Sequence, residues 1–233
     1  MTSPDALVSI IVPVFNEAGT VAAVIDRLLT IDFPAPSEII IVNDGSTDGT
    51  RAALERIQPN PAVQILHADR NRGKGYAVRQ GFARARGSVI AIQDADLELD
   101  PAQLPDLVGP VLSGEASVVY GSRFLHSTSA PLMTVAGNRL LTALTNLLFG
   151  SALTDMETCY KVMRGDVARS LVLSADRFDI EPEITARLLL AGHRIVERPV
   201  RFDARSRLAG KKMRWRDGWM ALRVLIVQRL RGR

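Results

Sequence analysis

Ile90-Ala91-Ile92-Gln93-Asp94-Ala95-Asp96-Leu97-Glu98 carries an apolar run straight into carboxylates at positions 94, 96 and 98. A short unbroken apolar run reads as a strand buried on both faces, the pattern of a parallel sheet covered by helices. Because successive side chains of a strand alternate sides, Asp94, Asp96 and Glu98 are expected to share a face at its carboxyl end. Carboxylates so placed suit one hard divalent cation, Mg2+ or Mn2+, whose shell a substrate's phosphates complete. An acidic turn ahead of Pro101 is the plainer alternative, and the neighbouring segments decide between the two.

Three further strands precede this one, and each ends in polar residues. Val8-Ser9-Ile10-Ile11-Val12-Pro13-Val14 gives way to Asn16-Glu17, and Glu38-Ile39-Ile40-Ile41-Val42 to Asn43-Asp44-Gly45-Ser46-Thr47-Asp48-Gly49. Ser46 or Thr47 is expected to cap a helix beginning near Thr50. Val63-Gln64-Ile65-Leu66 leads to Asn71-Arg72-Gly73-Lys74-Gly75, which opens a helix through Gly81 to Ala85. Glycines there let the backbone approach a ligand, and Lys74 sets a cation beside a helix N-terminus suited to phosphate. In open α/β sheets ligands bind at the carboxyl ends of the strands, so these loops and the acidic triplet point to one cleft.

With these motifs in view, the chain resembles the family 2 glycosyltransferases, nucleotide-sugar-dependent enzymes of GT-A fold. The matching pieces are Ile11-Val12-Pro13-Val14-Phe15-Asn16-Glu17, Val42-Asn43-Asp44-Gly45-Ser46-Thr47-Asp48, Asn71-Arg72-Gly73-Lys74-Gly75 and Asp94-Ala95-Asp96. The resemblance implies that Pro13, Glu17 and Asp44 line a nucleoside pocket, that Lys74 and Asp94 help close it, and that Asp96 is the central metal ligand of a DXD motif. Within the family the likeness is to the polyprenyl-phosphate (dolichyl-phosphate mannose synthase-like) hexosyltransferases. Those enzymes usually carry Gln two residues beyond the second Asp, where this chain has Glu98, a further expected metal ligand.

Composition agrees with one domain. The 233 residues are 47% hydrophobic, and no linker or low-complexity stretch divides them. The single cysteine, Cys159, excludes an intramolecular disulfide and reads as a buried free thiol in a reducing compartment. The first residues to Leu7 are polar, which does not suit a signal peptide, and no run approaches the ~20 apolar residues that span a bilayer. His67, His126 and His193 lack metal-ligand spacing, and no G-x-S-x-G or C-x-x-C occurs, against hydrolase triads and structural zinc.

Charge is uneven. Residues 201–233 hold eleven Lys or Arg against Asp203 and Asp217, a local +9 in a chain of net +4, so the first 200 residues carry −5. Trp215, Trp219, Leu222, Ile226 and Leu230 recur there at helical spacing, with Met220, Val224, Leu225 and Val227 widening the face and Arg216, Arg223, Arg229, Arg231 and Arg233 at its edges. A basic amphipathic helix over 211–233 suits an anionic membrane surface better than nucleic acid. The alternative is a terminal helix packed on its own core or on a second subunit. A second apolar helix is expected over Leu132 to Phe149, with Arg139, Thr142 and Asn146 on one side. That stripe reads either as an anion site or as a solvated face. Gly121-Ser122-Arg123 ends the strand Ser117-Val118-Val119-Tyr120.

In the resembling enzymes an arginine placed as Arg123 faces the reacting phosphates, and the helix at 132–149 offers Arg139, with Thr142 a looser match, to the lipid phosphate. Arg205 is expected at the donor diphosphate, and Lys211 and Lys212 near the acceptor. Lys211-Lys212-Met213-Arg214-Trp215 stands where processive synthases carry Q-x-x-R-W, against a chain-extending enzyme. Asp155 falls where hydroxyl-using members carry their base.

The expected architecture is three-layer α/β/α with a mostly parallel central sheet, residues 1–210 forming the GT-A unit and 211–233 its basic C-terminal helix. The expected reaction is inverting, metal-dependent transfer of a hexosyl group from a UDP- or GDP-linked sugar to a polyprenyl (dolichyl or undecaprenyl) phosphate, at the cytoplasmic face of a membrane. Such a chain leaves room for a membrane-protein partner or a second copy of itself. Two rivals are a glycosyltransferase acting on a hydroxyl, with Asp155 as base, and a non-catalytic basic binding protein.

Overall fold

The computed structural model describes residues 6–125, 129–204 and 215–231, with the side chains of 215–217 left out. The elements run β1 (Val8–Val14), α1 (Val21–Thr30), β2 (Ser37–Asn43), α2 (Thr50–Glu55), β3 (Val63–His67), α3 (Lys74–Arg84), β4 (Val89–Ile92), α4 (Leu104–Leu112) and β5 (Val118–Ser122). Then come α5 (Leu132–Phe149), β6 (Lys161–Arg164), α6 (Gly165–Ser170), α7 (Ile180–Leu190), β7 (Ile195–Pro199) and α8 (Trp215–Arg231).

The strands form one sheet in the order β3-β2-β1-β4-β6-β5-β7, parallel throughout except for β6, which is antiparallel to β4 and β5. Alternate residues of each central strand feed opposite cores. Ile10, Val12, Ile39 and Ile41 pack with α1, α2 and α4 on one face, and Ile11, Ile40, Val42 and Ile90 with α3, α6 and α7 on the other. The expected three-layer arrangement is therefore observed, and its burial on both faces explains why β1 and β2 read as unbroken apolar runs. Pro13 is tolerated inside β1 because the ladder to β4 ends at the Ile11–Ile92 pair, so no partner strand lies beside its missing N–H.

Two expectations about the strand ends are corrected. β4 stops at Ile92, so Asp94, Asp96 and Glu98 ride a turn beyond the strand instead of alternating along it. Leu97 holds that turn with φ of 60°, a left-handed conformation unusual for a residue with a side chain. Neither Ser46 nor Thr47 caps α2: Gly49 occupies the cap, and Asp48 Oδ1 accepts from the Thr50 N–H at 2.9 Å. Ser46 instead accepts from the Asn16 N–H at 3.0 Å, and the Thr47 N–H donates to Asn16 Oδ1 at 2.8 Å, so the first two strand-end loops are tied together.

α5 has the bounds expected and the opposite polarity. Asn138, Thr142 and Thr145 are buried while Leu132, Met133, Leu140 and Leu147 are exposed, Leu132 at 87%. The buried stripe faces backbone that would otherwise lack partners. Asn146 bonds Leu153 through both its N–H and its carbonyl, and Thr142 Oγ1 accepts from the Met156 N–H at 3.1 Å. A helix that buries polar groups to hold a neighbouring segment must turn apolar residues outward. α8 packs Leu225 against Leu153, Met156 and Ala186 and leaves Trp219, Ile226 and Leu230 exposed. No helix among the described residues is long and apolar enough to cross a membrane.

Candidate active site

The carboxyl edge of the sheet opens into a cleft of about 740 Å3. It gathers Pro13, Glu17, Asp44, Lys74, Asp94, Asp96, Glu98 and Arg123 from five separate strand ends. Asp44, the residue after β2, accepts from the N–H groups of Arg72 (3.0 Å) and Gly73 (2.6 Å), pinning the loop before α3. Burial raises its carboxyl above the usual range, against those backbone donors. Gly73 makes this loop feasible: its φ is +114°, and a side chain there would collide with the Asp176 carbonyl. Glu17 accepts from Thr20 Oγ1 at 3.0 Å, and the same hydroxyl donates to the Ala95 carbonyl at 2.7 Å, joining the first loop to the acidic turn.

Lys74 is not the free phosphate cation that its position suggests. Its ammonium lies 2.8 Å from Asp94 and 2.9 Å from Glu181, and Glu181 lies 2.5 Å from the fully buried Lys161. Burial alone would lower the Lys74 ammonium, but Asp94 and Glu181 hold it well above its ordinary value. Charges therefore alternate along Asp94, Lys74, Glu181 and Lys161, and a buried row of this kind persists only because each member is paired. Sequence reading missed Lys161 and Glu181, although a glutamate in the first turn of so apolar a segment as Ile180–Leu190 was a usable signal.

Asp155 is corrected as well. It is fully buried, does not line the cleft, and grips Arg123 with both oxygens: Nε at 2.7 Å, Nη2 at 2.7 Å and the Arg123 N–H at 3.0 Å. A carboxylate so engaged fixes the guanidinium and is in no position to take a proton from a substrate. The Arg123 guanidinium carbon also stands 5.6 Å from the Phe124 ring and 5.4 Å from that of Phe202. The carboxyl of this same segment that does line the cleft is Glu157, pushed up to about 7 by burial and by Glu181 and Asp155, with Lys161 and Arg123 opposing.

Of the expected acceptor residues, Thr142 lies beneath α5 on the Met156 N–H, and Arg139 is exposed with its guanidinium 5.9 Å from the Phe124 ring. Neither lines the cleft, whereas Thr134 and Asn138 of the same helix do. Arg205, Lys211 and Lys212 fall outside the described residues. Among the described residues no group of three or more His, Cys, Asp or Glu forms a ready metal cage. Asp94 is committed to Lys74, while Asp96 and Glu98 sit on one turn, with the Glu98 N–H donating to Asp96 Oδ1 at 3.1 Å. Such a set fits a hard cation shared between one or two carboxylates and a phosphate-bearing ligand, and does not fit an all-protein cage.

The family model described as Glycosyl transferase family 2 matches residues 9–172. A low-salt glycan biosynthesis hexosyltransferase, Agl6, of Haloferax volcanii is 30% identical over 225 residues, covering 94% of this chain and 53% of that protein. A dodecaprenyl-phosphate galacturonate synthase of Rhizobium johnstonii is 28% identical, covering 85% of this chain and 59% of its own. A polyprenol monophosphomannose synthase of Mycolicibacterium smegmatis is 26% identical over 91% of this chain and 84% of its own. The chain thus spans little more than half the length of the first two relatives. Among solved structures, glucosyl-3-phosphoglycerate synthase of Mycobacterium tuberculosis, crystallised with Mn2+, UDP and glucosyl-3-phosphoglycerate, superposes with a TM-score of 0.73 at 19% identity, covering 97% of this chain and 80% of that one. The shared architecture is the GT-A fold.

Proposed function

This chain belongs to glycosyl transferase family 2, and from that premise we propose that it transfers a hexosyl group from a nucleoside diphosphate sugar to a polyprenyl phosphate, with inversion. The observation that carries the reading is the mouth of the cleft. Arg123 and the strand-end carboxylates lie inside it, while Met133, which lines its rim, is 82% exposed beside the equally bare Leu132. A charged interior with an apolar doorstep suits an acceptor that is a phosphate on one side and a hydrocarbon on the other. Relatives named for dodecaprenyl phosphate and polyprenol support the same class.

In this reading Pro13, Glu17 and Asp44 receive the nucleoside. Asp96 and Glu98 would hold Mg2+ or Mn2+ on the donor diphosphate, where a divalent cation supplies counter-charge to the departing group. Lys74, braced by Glu181, holds Asp94 at the edge of that turn. Arg123 keeps a fixed guanidinium toward the acceptor phosphate, and Phe124 and Phe202 shield it from water. A phosphate oxygen is already anionic near neutral pH, so attack on the anomeric carbon needs no strong base, in keeping with Asp155 being bound to Arg123. Arg205, Lys211 and Lys212 are proposed to join from outside the described residues.

The test is transfer by the purified chain of radiolabelled sugar from UDP- or GDP-linked donors to dolichyl or undecaprenyl phosphate in mixed micelles. The expected product is an acid-labile glycolipid. Label moved only to soluble hydroxyl acceptors would overturn the lipid-phosphate reading.

We also propose that the chain works against the cytoplasmic face of an anionic membrane, through α5 and α8. Leu140, Leu147, Trp219 and Leu230 are exposed apolar side chains on these two packed helices, and Arg139, Arg223 and Arg231 are exposed on them too. Apolar insertion and roughly 1 kcal/mol per basic residue near an anionic leaflet would act together. Co-sedimentation with vesicles is expected to rise with anionic lipid, to fall in high salt and to drop about tenfold in Trp219→Ala/Leu230→Ala. Equal sedimentation of parent and double variant would assign that face to another partner.

A further inference from the structure

Glu157 lines the cleft and has no part in the mechanism above. Its Oε1 is buried without a hydrogen-bond partner among the described residues, whereas Asp155, two residues earlier, has both oxygens bonded to Arg123. The charged groups that face Glu157 are Arg123 beyond β5, Asp155 in its own segment, Lys161 on β6 and Glu181 on α7. From α5, Thr134 and Asn138 share the cleft, and neither titrates. Both cations in this set are already engaged. Arg123 is held by Asp155, and the Lys161 ammonium bonds Glu181, the Met156 carbonyl and the Thr158 carbonyl. A carboxyl with one oxygen buried and unpartnered among the described residues, and with two further carboxylates beside it, holds its proton unusually well, and burial with those neighbours pushes Glu157 up to about 7.

We propose that Glu157 is an acceptor-binding residue that acts as a neutral carboxylic acid, donating its proton in a hydrogen bond to an oxygen of the acceptor's phosphate monoester. This rests on the lipid-phosphate reading given above. A phosphate monoester is largely dianionic above its second pKa of about 6, so an ionised carboxylate facing it would repel it, and a protonated one forms a charge-assisted bond to it. Near neutral pH the carboxyl and the phosphate hold one proton between them, and acceptor binding at higher pH must draw that proton from solvent. The proton stays on Glu157 through the reaction. The new bond joins a phosphate oxygen to the anomeric carbon, the bond from that carbon to the donor diphosphate breaks, and the product diester keeps a single negative charge. The hydrogen bond weakens as that charge falls, which favours release. An acceptor hydroxyl would need the reverse, an ionised Glu157 able to take a proton.

Two measurements with a short-chain polyprenyl phosphate test this. The first is the acceptor KM between pH 6 and 9. The second is proton uptake on binding to the UDP complex at pH 8, by calorimetry in buffers of different ionisation enthalpy. In the parent chain, KM is expected to climb about tenfold per unit above pH 7, with uptake of about one proton. In Glu157→Gln both effects should vanish, while the donor KM keeps its pH profile. A climb in the variant equal to the parent's overturns the assignment. Absence of proton uptake in the parent chain overturns it also, whether or not the variant folds. A parent chain that glycosylates a soluble hydroxyl and no polyprenyl phosphate overturns the lipid-phosphate reading itself, and an inactive Glu157→Gln at every pH would then make the residue a base.

Discussion

Asp96→Ala is expected to lower sugar transfer about a thousandfold and to leave the fold intact. Asp96 is half-buried on the turn after β4 and lines the cleft. Of the cations lining that cleft among the described residues, Arg177 is exposed and the two largely buried ones are already paired, Lys74 with Asp94 and Glu181 and Arg123 with Asp155. Those pairings leave less charge for a departing diphosphate, and Asp96 with Glu98 is the place in the cleft where a hard cation that supplies it fits. Loss of about 4 kcal/mol of transition-state stabilisation corresponds to that thousandfold. Initial rates at saturating donor give the activity. A second readout is the rise in Tm produced by UDP, where the variant should lose only the part that depends on Mg2+ or Mn2+. Substantial transfer by Asp96→Ala in excess chelator would sink the metal reading. Glu98→Gln keeps an oxygen at the same place and should cost less than about tenfold.

The second large effect is on stability and on activity together. Asp155→Asn leaves the Arg123 guanidinium, itself largely buried, facing an amide that can accept with one oxygen only. Removing one partner of a buried ion pair costs about 3–5 kcal/mol, on the order of 10 °C in Tm for a chain of this size. Transfer is expected to fall roughly a hundredfold as Arg123 leaves its position. If Asp155 were instead a proton-accepting base, Asp155→Asn would abolish turnover with little change in Tm. The double variant Arg123→Leu/Asp155→Leu separates the two roles. Replacing both charges by apolar groups is expected to restore most of the lost stability and none of the activity. A double variant that regained transfer would show that Arg123 is structural only.

The first four strands and the bounds of α5 were legible because their cause is local. An unbroken apolar run means burial on two faces, and strand-end polar clusters mark where such runs leave the core. The placement of the acidic triplet was less legible. Nothing in Asp94-Ala95-Asp96-Leu97-Glu98 announces that Leu97 adopts a left-handed conformation, and without that turn the residues read as strand. The polarity of α5 was hidden for another reason. Periodicity reveals a stripe but not which side of it faces the core, and here the core side holds the polar groups because they satisfy the backbone of Leu153 and Met156. Asp155 and Glu157 differ by two positions, and only the path of that segment decides which of them reaches the cleft. Lys161 and Glu181 stand twenty residues apart, and no pattern along the chain ties them.

The single reversed strand has a consequence for the order in which the molecule can assemble. Apart from the later ladder of β4 to β6, β1 to β4 pair among themselves and could close as a four-stranded unit once residue 92 is made. β5 has no sheet neighbour until β6 and β7 follow it, since its ladders run to those two alone. Between residues 92 and 161 a growing chain therefore carries β4 as an open edge and β5 as an unplaced apolar strand, both ready templates for pairing with another molecule. The insertion of β6 in reverse between them joins the edge of β4 to one edge of β5 in one step, and β7 then covers the other edge of β5. That step also brings in Lys161, and the row of alternating charges closes only when α7 follows with Glu181, so the cleft is completed after β6 has joined the two halves of the sheet.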